Sequence, residues 1–177
     1  MSLVMILGAM YSGKTTEMMR RVARYRAIDW QVTVINSTKD TRCGSAEVRS
    51  HSGQTGQAVK SYHLQDVRQP IPPGSVVAID EAQFFADLVV VVKEWVNRGV
   101  HVLLSGLNGD YRGEPFGSIL QLISFADEVV WKRAYCAVCK DGTLASFSKR
   151  IAGGESVEQV GAKDMYISVC RKHHTRL

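Results

Sequence analysis

An eight-residue run near the start of the chain carries the residue types that hold a polyphosphate. Residues 8–15, GAMYSGKT, match G-x-x-x-x-G-K-[ST] at every fixed position, after an apolar stretch and before a helical pattern. The glycines let backbone N–H groups surround an anion, and the following helix directs its positive end at the same place. Lys14 would neutralise the β and γ phosphates, and the Thr15 hydroxyl would supply a Mg²⁺ ligand. The predicted ATP contacts are Gly8, Ala9, Met10, Tyr11, Ser12, Gly13, Lys14 and Thr15.

Two acids follow an apolar stretch in the middle of the chain. Asp80 and Glu81 come directly after residues 76–79, where a parallel sheet would open into its ligand crevice. Asp80 would hold Mg²⁺ opposite Thr15, and Glu81 could deprotonate the group that attacks the γ-phosphate. These residues leave open whether the attacker is water, as in an ATPase, or a substrate hydroxyl, as in a kinase. ATP is favoured over GTP because no Asn-Lys-x-Asp run follows a predicted strand.

Four residues near the end of the chain have the spacing of zinc ligands. Cys136 and Cys139 form one x₂-spaced pair, Cys170 and His173 form another, and 30 residues separate the pairs. A Cys₃His set completes a tetrahedron and is typical of structural Zn²⁺. His174 is an alternative to His173 as the fourth ligand. The metal would fix both ends of the segment 141–169, which could then act as a lid that excludes water.

The elements that must position these groups follow an α/β pattern. Short, nearly continuous apolar runs indicate strands of a parallel sheet, and amphipathic runs at 88–96 and 116–123 indicate helices packed on it. The predicted strands cover 3–7, 32–35, 76–79, 100–104 and 129–131. The polar stretch from Asn36 to Ser61 is expected to be a mobile loop. We expect a P-loop domain over residues 1–134 and a small zinc-binding lobe with the lid over 135–177.

Composition excludes several classes of protein. The chain has 177 residues, a formal net charge of +5, 45% hydrophobic residues and 22% charged residues, which is typical of a globular domain and not of a disordered one. Its apolar runs are far shorter than the roughly 20 residues of a membrane-spanning helix. The start of the chain lacks the features of a signal peptide, so we expect a cytoplasmic protein whose cysteines bind metal or stay reduced. The mild positive charge does not indicate a domain dedicated to coating DNA.

Taken together, the motifs resemble those of the type II thymidine kinase family. The resemblance covers nearly the whole chain and rests on five features. In order along the chain, they are residues 8–17 (GAMYSGKTTE), 39–42 (KDTR), 80–85 (DEAQFF), 106–117 (GLNGDYRGEPFG), and the two zinc pairs with Tyr166 ahead of Cys170. The phosphate-binding run alone is generic, whereas the DEAQFF run, the Pro-Phe-Gly turn and the zinc-clipped loop in this order are specific.

The resemblance implies transfer of the ATP γ-phosphate to the 5′-hydroxyl of thymidine, and of deoxyuridine, with Glu81 as the base and Asp80 near Mg²⁺. It also implies a homotetramer and inhibition by dTTP, without membrane or nucleic-acid partners. Further implied ATP contacts are Asp40, Arg42, Asp80 and Gln83. Implied nucleoside contacts are Met10, Phe84, Leu107, Tyr111, Phe116, Tyr166 and the lid residues Val157, Glu158, Gln159, Val160 and Gly161.

Several positions depart from the family's commonest pattern. Ala9 stands where Pro is frequent, Tyr11 and Tyr111 where Phe is frequent, and Asn108 where Asp is common. None of these changes removes a group that the mechanism needs, although the phenol of Tyr111 could alter nucleoside selection. The competing interpretation is a nucleic-acid-binding P-loop ATPase that grips phosphates with its zinc ribbon and the basic tail of Arg171, Lys172 and Arg176.

Overall fold

A computed structural model of the chain describes residues 1–40, 47–49, 55–152 and 165–175. Within these ranges the strands are β1 (Ser2–Gly8), β2 (Val32–Ser37), β3 (Glu47–Arg49), β4 (Thr55–Gln57), β5 (Val59–Ser61), β6 (Val76–Asp80), β7 (His101–Gly106), β8 (Glu128–Lys132), β9 (Ala134–Tyr135), β10 (Leu144–Ala145), β11 (Phe147–Arg150) and β12 (Tyr166–Val169). The α-helices are α1 (Lys14–Arg26), α2 (Leu88–Asn97) and α3 (Arg171–His174). Among the described residues, no helix has the length and apolar character needed to cross a bilayer.

A six-stranded parallel sheet forms the centre of the molecule, in the order β5-β2-β6-β7-β1-β8. Strands β1 and β6 in its interior are buried on both faces, as their continuous apolar runs predict, whereas the edge strand β8 is partly exposed. Val4 and Ile6 of β1 face Met18 and Val22 of α1. The alternate residues of the same strand join α2 in the core on the other face. The predicted α/β fold with a parallel sheet is therefore confirmed.

The segment expected to be a loop from Asn36 to Ser61 contains strands. β5 extends the parallel sheet beside β2, with Val59 opposite Ile35, and β3 pairs antiparallel with β4. The expectation was wrong here because three-residue strands are too short to show a periodic apolar pattern. An edge strand also buries less side-chain area than a central strand, so it can be polar.

The expected helix at 116–123 is a 3₁₀-helix over Ile119–Phe125 instead. Ile119 and Leu122 are buried, whereas Ile123 is 37% exposed. With three residues per turn, positions 119 and 122 share a face and position 123 turns towards solvent. The apolar stripe correctly indicates a core contact, but it gives the wrong helix type.

The chain after β8 forms a small lobe with a core of its own. β9 pairs with β10 and β11 pairs with β12, both antiparallel. Ala134, Cys136, Ala145, Val169 and Cys170 are buried together, and Tyr11 from the phosphate-binding run packs against them. The segment expected to be a lid therefore begins and ends in paired strands. The boundary between a P-loop domain ending at residue 134 and a zinc-binding lobe beginning at residue 135 stays a prediction.

Candidate active site

The phosphate-binding run forms a tight turn between β1 and α1. A side chain at Gly8 would overlap the carbonyl oxygen of Lys132 in β8, so only glycine fits there. Lys14 opens the helix, is 8% exposed, and donates from Nζ to the carbonyl of Ala9 at 2.8 Å. Among the described residues, the buried Ser12 hydroxyl has no hydrogen-bond partner. A buried orphan hydroxyl in this turn suits an anion, because a phosphate oxygen would accept its hydrogen bond.

The Asp80 carboxylate lies beside the Thr15 hydroxyl, as their predicted shared metal requires. Thr15 Oγ1 donates to Asp80 Oδ2 at 2.9 Å, and Asp80 is 1% exposed at the end of β6. The β2–β6 register sets Asn36 beside Asp80, and the Asn36 amide donates to Asp40 Oδ2 at 3.0 Å. These groups offer hard oxygen ligands at one edge of the sheet, and such ligands are the kind that Mg²⁺ prefers.

Glu81 follows β6 in a left-handed backbone conformation, with φ of 50°. A non-glycine residue there costs about 1–2 kcal/mol, and such strain concentrates at functional sites. Its Oε2 accepts a 2.7 Å hydrogen bond from Gln83 Nε2, and both side chains are buried. Gln83 Oε1 in turn accepts the backbone N–H of Leu107 at 3.0 Å. The Gln83 amide thus joins the carboxylate to the segment that follows β7.

Paired aromatic rings form one wall of the crevice. Phe84 meets Phe116 edge to face, with ring centroids 5.4 Å apart. Lys39 Nζ lies 6.0 Å from the Phe84 ring centroid. Phe85 is 1% exposed and belongs to the core beside α2. Of the two adjacent phenylalanines, Phe84 is therefore the one available to a ligand.

A second group of rings surrounds an arginine. The Arg150 guanidinium carbon lies 4.0 Å from the ring centroid of Tyr111 and 5.2 Å from that of Tyr166. Arg150 Nε also donates to the Tyr166 hydroxyl at 3.0 Å. The Tyr111 hydroxyl accepts a hydrogen bond from Arg112 Nε at 2.9 Å. The C-terminal lobe thereby meets the turn that carries Tyr111.

The same lobe is bonded to the phosphate-binding run. The backbone N–H of Met10 donates to Ser148 Oγ at 3.0 Å. The Tyr11 hydroxyl donates to the carbonyl of Tyr166 at 3.3 Å. The predicted nucleoside contacts Met10 and Tyr166 are thus brought to the junction between the sheet and the lobe.

The predicted zinc ligands converge on one point. One ligand atom from each of Cys136, Cys139, Cys170 and His173 lies within 4.8 Å of all the others. His173 Nδ1 is 3.4 to 3.5 Å from each of the three sulfurs. His174 points elsewhere, because its ring stacks on Phe147. The structure therefore favours His173 over His174 as the fourth ligand.

The electrostatics of this group also suit a cation. Burial raises the pKa of the Cys136 thiol, but hydrogen bonds from three backbone N–H groups and from the His173 ring outweigh it and lower the pKa overall. Burial and the neighbouring sulfurs of Cys136 and Cys170 raise the pKa of Cys139. A divalent metal would stabilise all three thiolates together. The residues therefore fit a structural Zn²⁺ ion.

Some predicted site residues lie outside the described part of the chain. They are Arg42 and the lid residues Val157, Glu158, Gln159, Val160 and Gly161. Arg176 of the basic tail lies outside it as well.

Sequence reasoning gave no role to Ser148, Arg150 or Asn36. The spacing of these residues carries no motif, since each comes near the site only through strand pairing. The alternation of β11 could have shown only that Ser148 and Arg150 share a face.

The chain is similar to thymidine kinases over most of its length. A family model described as thymidine kinase matches residues 1–174. The cytosolic thymidine kinase of Gallus gallus is 39% identical over 166 residues, covering 94% of this chain and 73% of that protein. The thymidine kinase of Vaccinia virus (strain Ankara) is 39% identical over 168 residues, covering 95% and 93%. The cytosolic thymidine kinase of Homo sapiens is 40% identical over 166 residues, covering 94% and 70%.

Proposed function

The chain belongs to the thymidine kinase family, and on this premise we propose that it transfers the γ-phosphate of ATP to the 5′-hydroxyl of thymidine, and of deoxyuridine. The observation that carries the proposal is the buried, strained Glu81 next to Asp80, which is itself bonded to the phosphate-binding run. A carboxylate in that position can accept a proton from a hydroxyl as that hydroxyl attacks phosphorus.

The proposed step is an in-line displacement. A Glu81 carboxylate oxygen takes the proton of the 5′-hydroxyl while the 5′-oxygen forms a bond to the γ-phosphorus. The bond between that phosphorus and the β,γ-bridging oxygen breaks, and ADP leaves with its electron pair. The products are thymidine monophosphate, ADP and a proton. Lys14 and the backbone N–H groups of the run hold the phosphates in line for this displacement.

Oxygen groups at the end of β6 support a magnesium requirement. Thr15 and Asp80 would hold Mg²⁺, which supplies charge neutralisation at the β and γ phosphates when bound. Asp40 is 3% exposed close to this edge, and Arg42 follows in the sequence. We assign both to ATP binding.

The hydrogen bonds of the Gln83 side chain support a positioning role for this residue, whereas the family resemblance implies a contact with ATP. Its Nε2 donates to one oxygen of Glu81, and its Oε1 accepts from the Leu107 backbone. The hydrogen bond from Gln83 fixes the orientation of the Glu81 carboxylate. The two bonds also make the base and the Leu107 segment one unit.

Nucleoside recognition falls to the aromatic and apolar groups around the crevice. Phe84 and Phe116 contact each other, and Tyr111 and Tyr166 both contact Arg150. We assign these four rings and Leu107 to the nucleoside pocket. A planar base can stack on such rings. The proposed contacts to the thymine edge come from Met10 and from the lid residues 157–161.

The C-terminal lobe has a mechanical role in this proposal. A zinc ion on the Cys₃His group fixes both ends of the segment that covers the nucleoside, so the lobe acts as a second domain over residues 135–177. Exclusion of water by that cover would favour transfer to the nucleoside over hydrolysis. The family also supports a cytoplasmic homotetramer inhibited by dTTP.

One assay tests the proposal directly. Mg²⁺-ATP consumption is measured with thymidine, deoxyuridine, deoxycytidine, deoxyadenosine or single-stranded DNA, and the nucleoside monophosphate is quantified. We expect monophosphate formation with thymidine and deoxyuridine, in proportion to ADP. ATP hydrolysis stimulated by DNA alone would overturn the proposal and would favour a nucleic-acid-binding ATPase instead.

A further inference from the structure

His174 directly follows a predicted zinc ligand in the sequence, but its side chain contacts Phe147 and the turn that carries Tyr111. Its ring stacks on Phe147, with centroids 4.5 Å apart and planes inclined by 20°. Its Nε2 lies 3.0 Å from the backbone carbonyl oxygen of Tyr111, so the tautomer protonated at Nε2 donates a hydrogen bond. One imidazole therefore joins α3, β11 and the Tyr111 turn.

The Tyr111 turn is already a compact unit before His174 reaches it. Asp110 Oδ1 accepts the backbone N–H groups of Arg112 at 2.8 Å and Glu114 at 3.0 Å. Gly113 has φ of 86°, and a side chain there would come within 3.1 Å of His174 Cε1. The turn thus presents the Tyr111 carbonyl to the imidazole at close range. The bond fixes where the whole unit lies relative to the lobe.

The backbone of α3 is itself held against β11. Lys149 Nζ donates to the carbonyl of His173 at 2.9 Å, and the Arg171 guanidinium lies 4.9 Å from the centroid of the Phe147 ring. Phe147 and Lys149 flank Ser148, which accepts the N–H of Met10. The imidazole therefore rests on the strand that also contacts the phosphate-binding run.

We propose that His174 is a positioning residue that transmits the geometry of the metal-binding knuckle to the Tyr111 ring, and so sets nucleoside affinity. This inference rests on the proposed function, because Tyr111 matters only if the crevice takes a nucleoside. Zinc loading and nucleoside binding are then linked by a side chain that is not a ligand of the metal. The hydrogen bond and the ring stack of His174 reach Tyr111 and Phe147, and neither contact involves Glu81 or Lys14.

Three substitutions separate the contributions of the ring and the hydrogen bond. His174→Phe keeps the stack on Phe147 and loses the donor, His174→Gln keeps an amide donor and loses the stack, and His174→Ala loses both. Thr175→Ala serves as the control, because Thr175 is exposed on the next position and bonds only to Arg171 among the residues described. Zinc content, thermal unfolding, and the Kd of thymidine and of ATP are measured for each protein.

We expect one zinc per chain in all variants and an ATP Kd within about twofold of the parent protein. The thymidine Kd should rise about three- to tenfold in His174→Phe, more in His174→Ala, and less in His174→Gln. An unchanged thymidine Kd in both His174→Phe and His174→Ala would overturn the proposal. Loss of zinc from His174→Phe would also overturn it, since the residue would then act through the metal. Failure of the unmodified protein to bind thymidine would instead refute the proposed function.

Discussion

The two sides of the crevice are held in place by different means. The phosphate side stands on the edge of a six-stranded parallel sheet with helices on both faces, and its reacting groups lie at strand ends. The nucleoside side depends partly on a lobe of two-stranded pairs around a small core and a Cys₃His group. The first side gains its rigidity from apolar burial, whereas the second has a smaller apolar core and a Cys₃His group that could gain rigidity by binding a metal.

This difference indicates that chemistry and recognition can be damaged separately. Groups that act on the phosphate belong to the larger core, so their removal should lower kcat without unfolding the chain. Groups in the lobe act on the position of Tyr111 and Tyr166, so their removal should raise the KM of thymidine. Substitutions on each side of the crevice test that separation.

The largest effect is expected for Glu81→Gln. The amide cannot accept the 5′-hydroxyl proton, so kcat should fall about 10²- to 10⁴-fold while the ATP Kd changes little. Steady-state kinetics with thymidine and calorimetric ATP titration measure the two quantities. Turnover close to that of the parent protein would remove Glu81 as the base.

Loss of the metal should act on the other side of the crevice. Cys139→Ser, or removal of zinc with a chelator, should destabilise the lobe, because the remaining ligands then repel one another or move apart. The thymidine KM should rise about tenfold or more. The main unfolding transition of the sheet should shift less than the activity does. Elemental analysis gives the zinc content, and a protein that binds thymidine normally without zinc would contradict the comparison.

Gln83 offers a finer test of the phosphate side. Gln83→Met keeps the approximate length of the side chain but removes the donor to Glu81, so we expect kcat to fall about tenfold. The ATP KM should stay within about twofold, because the hydrogen bonds of Gln83 run to Glu81 and to the Leu107 backbone. A raised ATP KM with unchanged kcat would support direct ATP contact instead.

The smallest effect is expected for the ion pairs that Glu17 forms with Arg20 and Arg21 on α1. Hydrogen bonds from Arg20, and also from Arg21, lower the pKa of Glu17 from 4.5 to about 2. Because the pKa is depressed in the folded state, the stabilisation is complete above about pH 4.5 and is lost as the pH falls towards 2. Solvent screening limits it to roughly 1 kcal/mol. Glu17→Gln should flatten the pH dependence of the unfolding midpoint over that window, and an unchanged profile would refute the assignment.

Much of the fold and of the phosphate site could be predicted from the sequence. Continuous apolar runs give the buried strands, and the fixed positions around Lys14 and Thr15 give the turn, because both signals are local. The spacing of the zinc pairs likewise predicts the ligand group. Residues close in sequence supply the geometry of the strands, of the turn and of each zinc pair, whereas the two zinc pairs are brought together by the fold.

The remainder depends on contacts between distant segments. The bond between Met10 and Ser148 joins residues 138 positions apart, and that between His174 and Tyr111 spans 63. Neither contact leaves a periodic pattern in the chain. The conformations of the edge strand β5 and of the 3₁₀-helix also differ from the sequence-based expectation. Short elements take their conformation from neighbouring segments more than from their own residues.

The strand order has a consequence for how the protein is made. The first strand lies between β7 and β8, so Leu3 pairs with Val102 and Val4 pairs with Glu128. During synthesis, β1 and the turn after it must wait until the chain has been made as far as β7 before either neighbour exists. Such distant pairing slows folding and leaves an apolar strand exposed in the meantime. The phosphate-binding turn precedes both neighbours of β1 in the sequence and is therefore among the last parts of the sheet to be assembled.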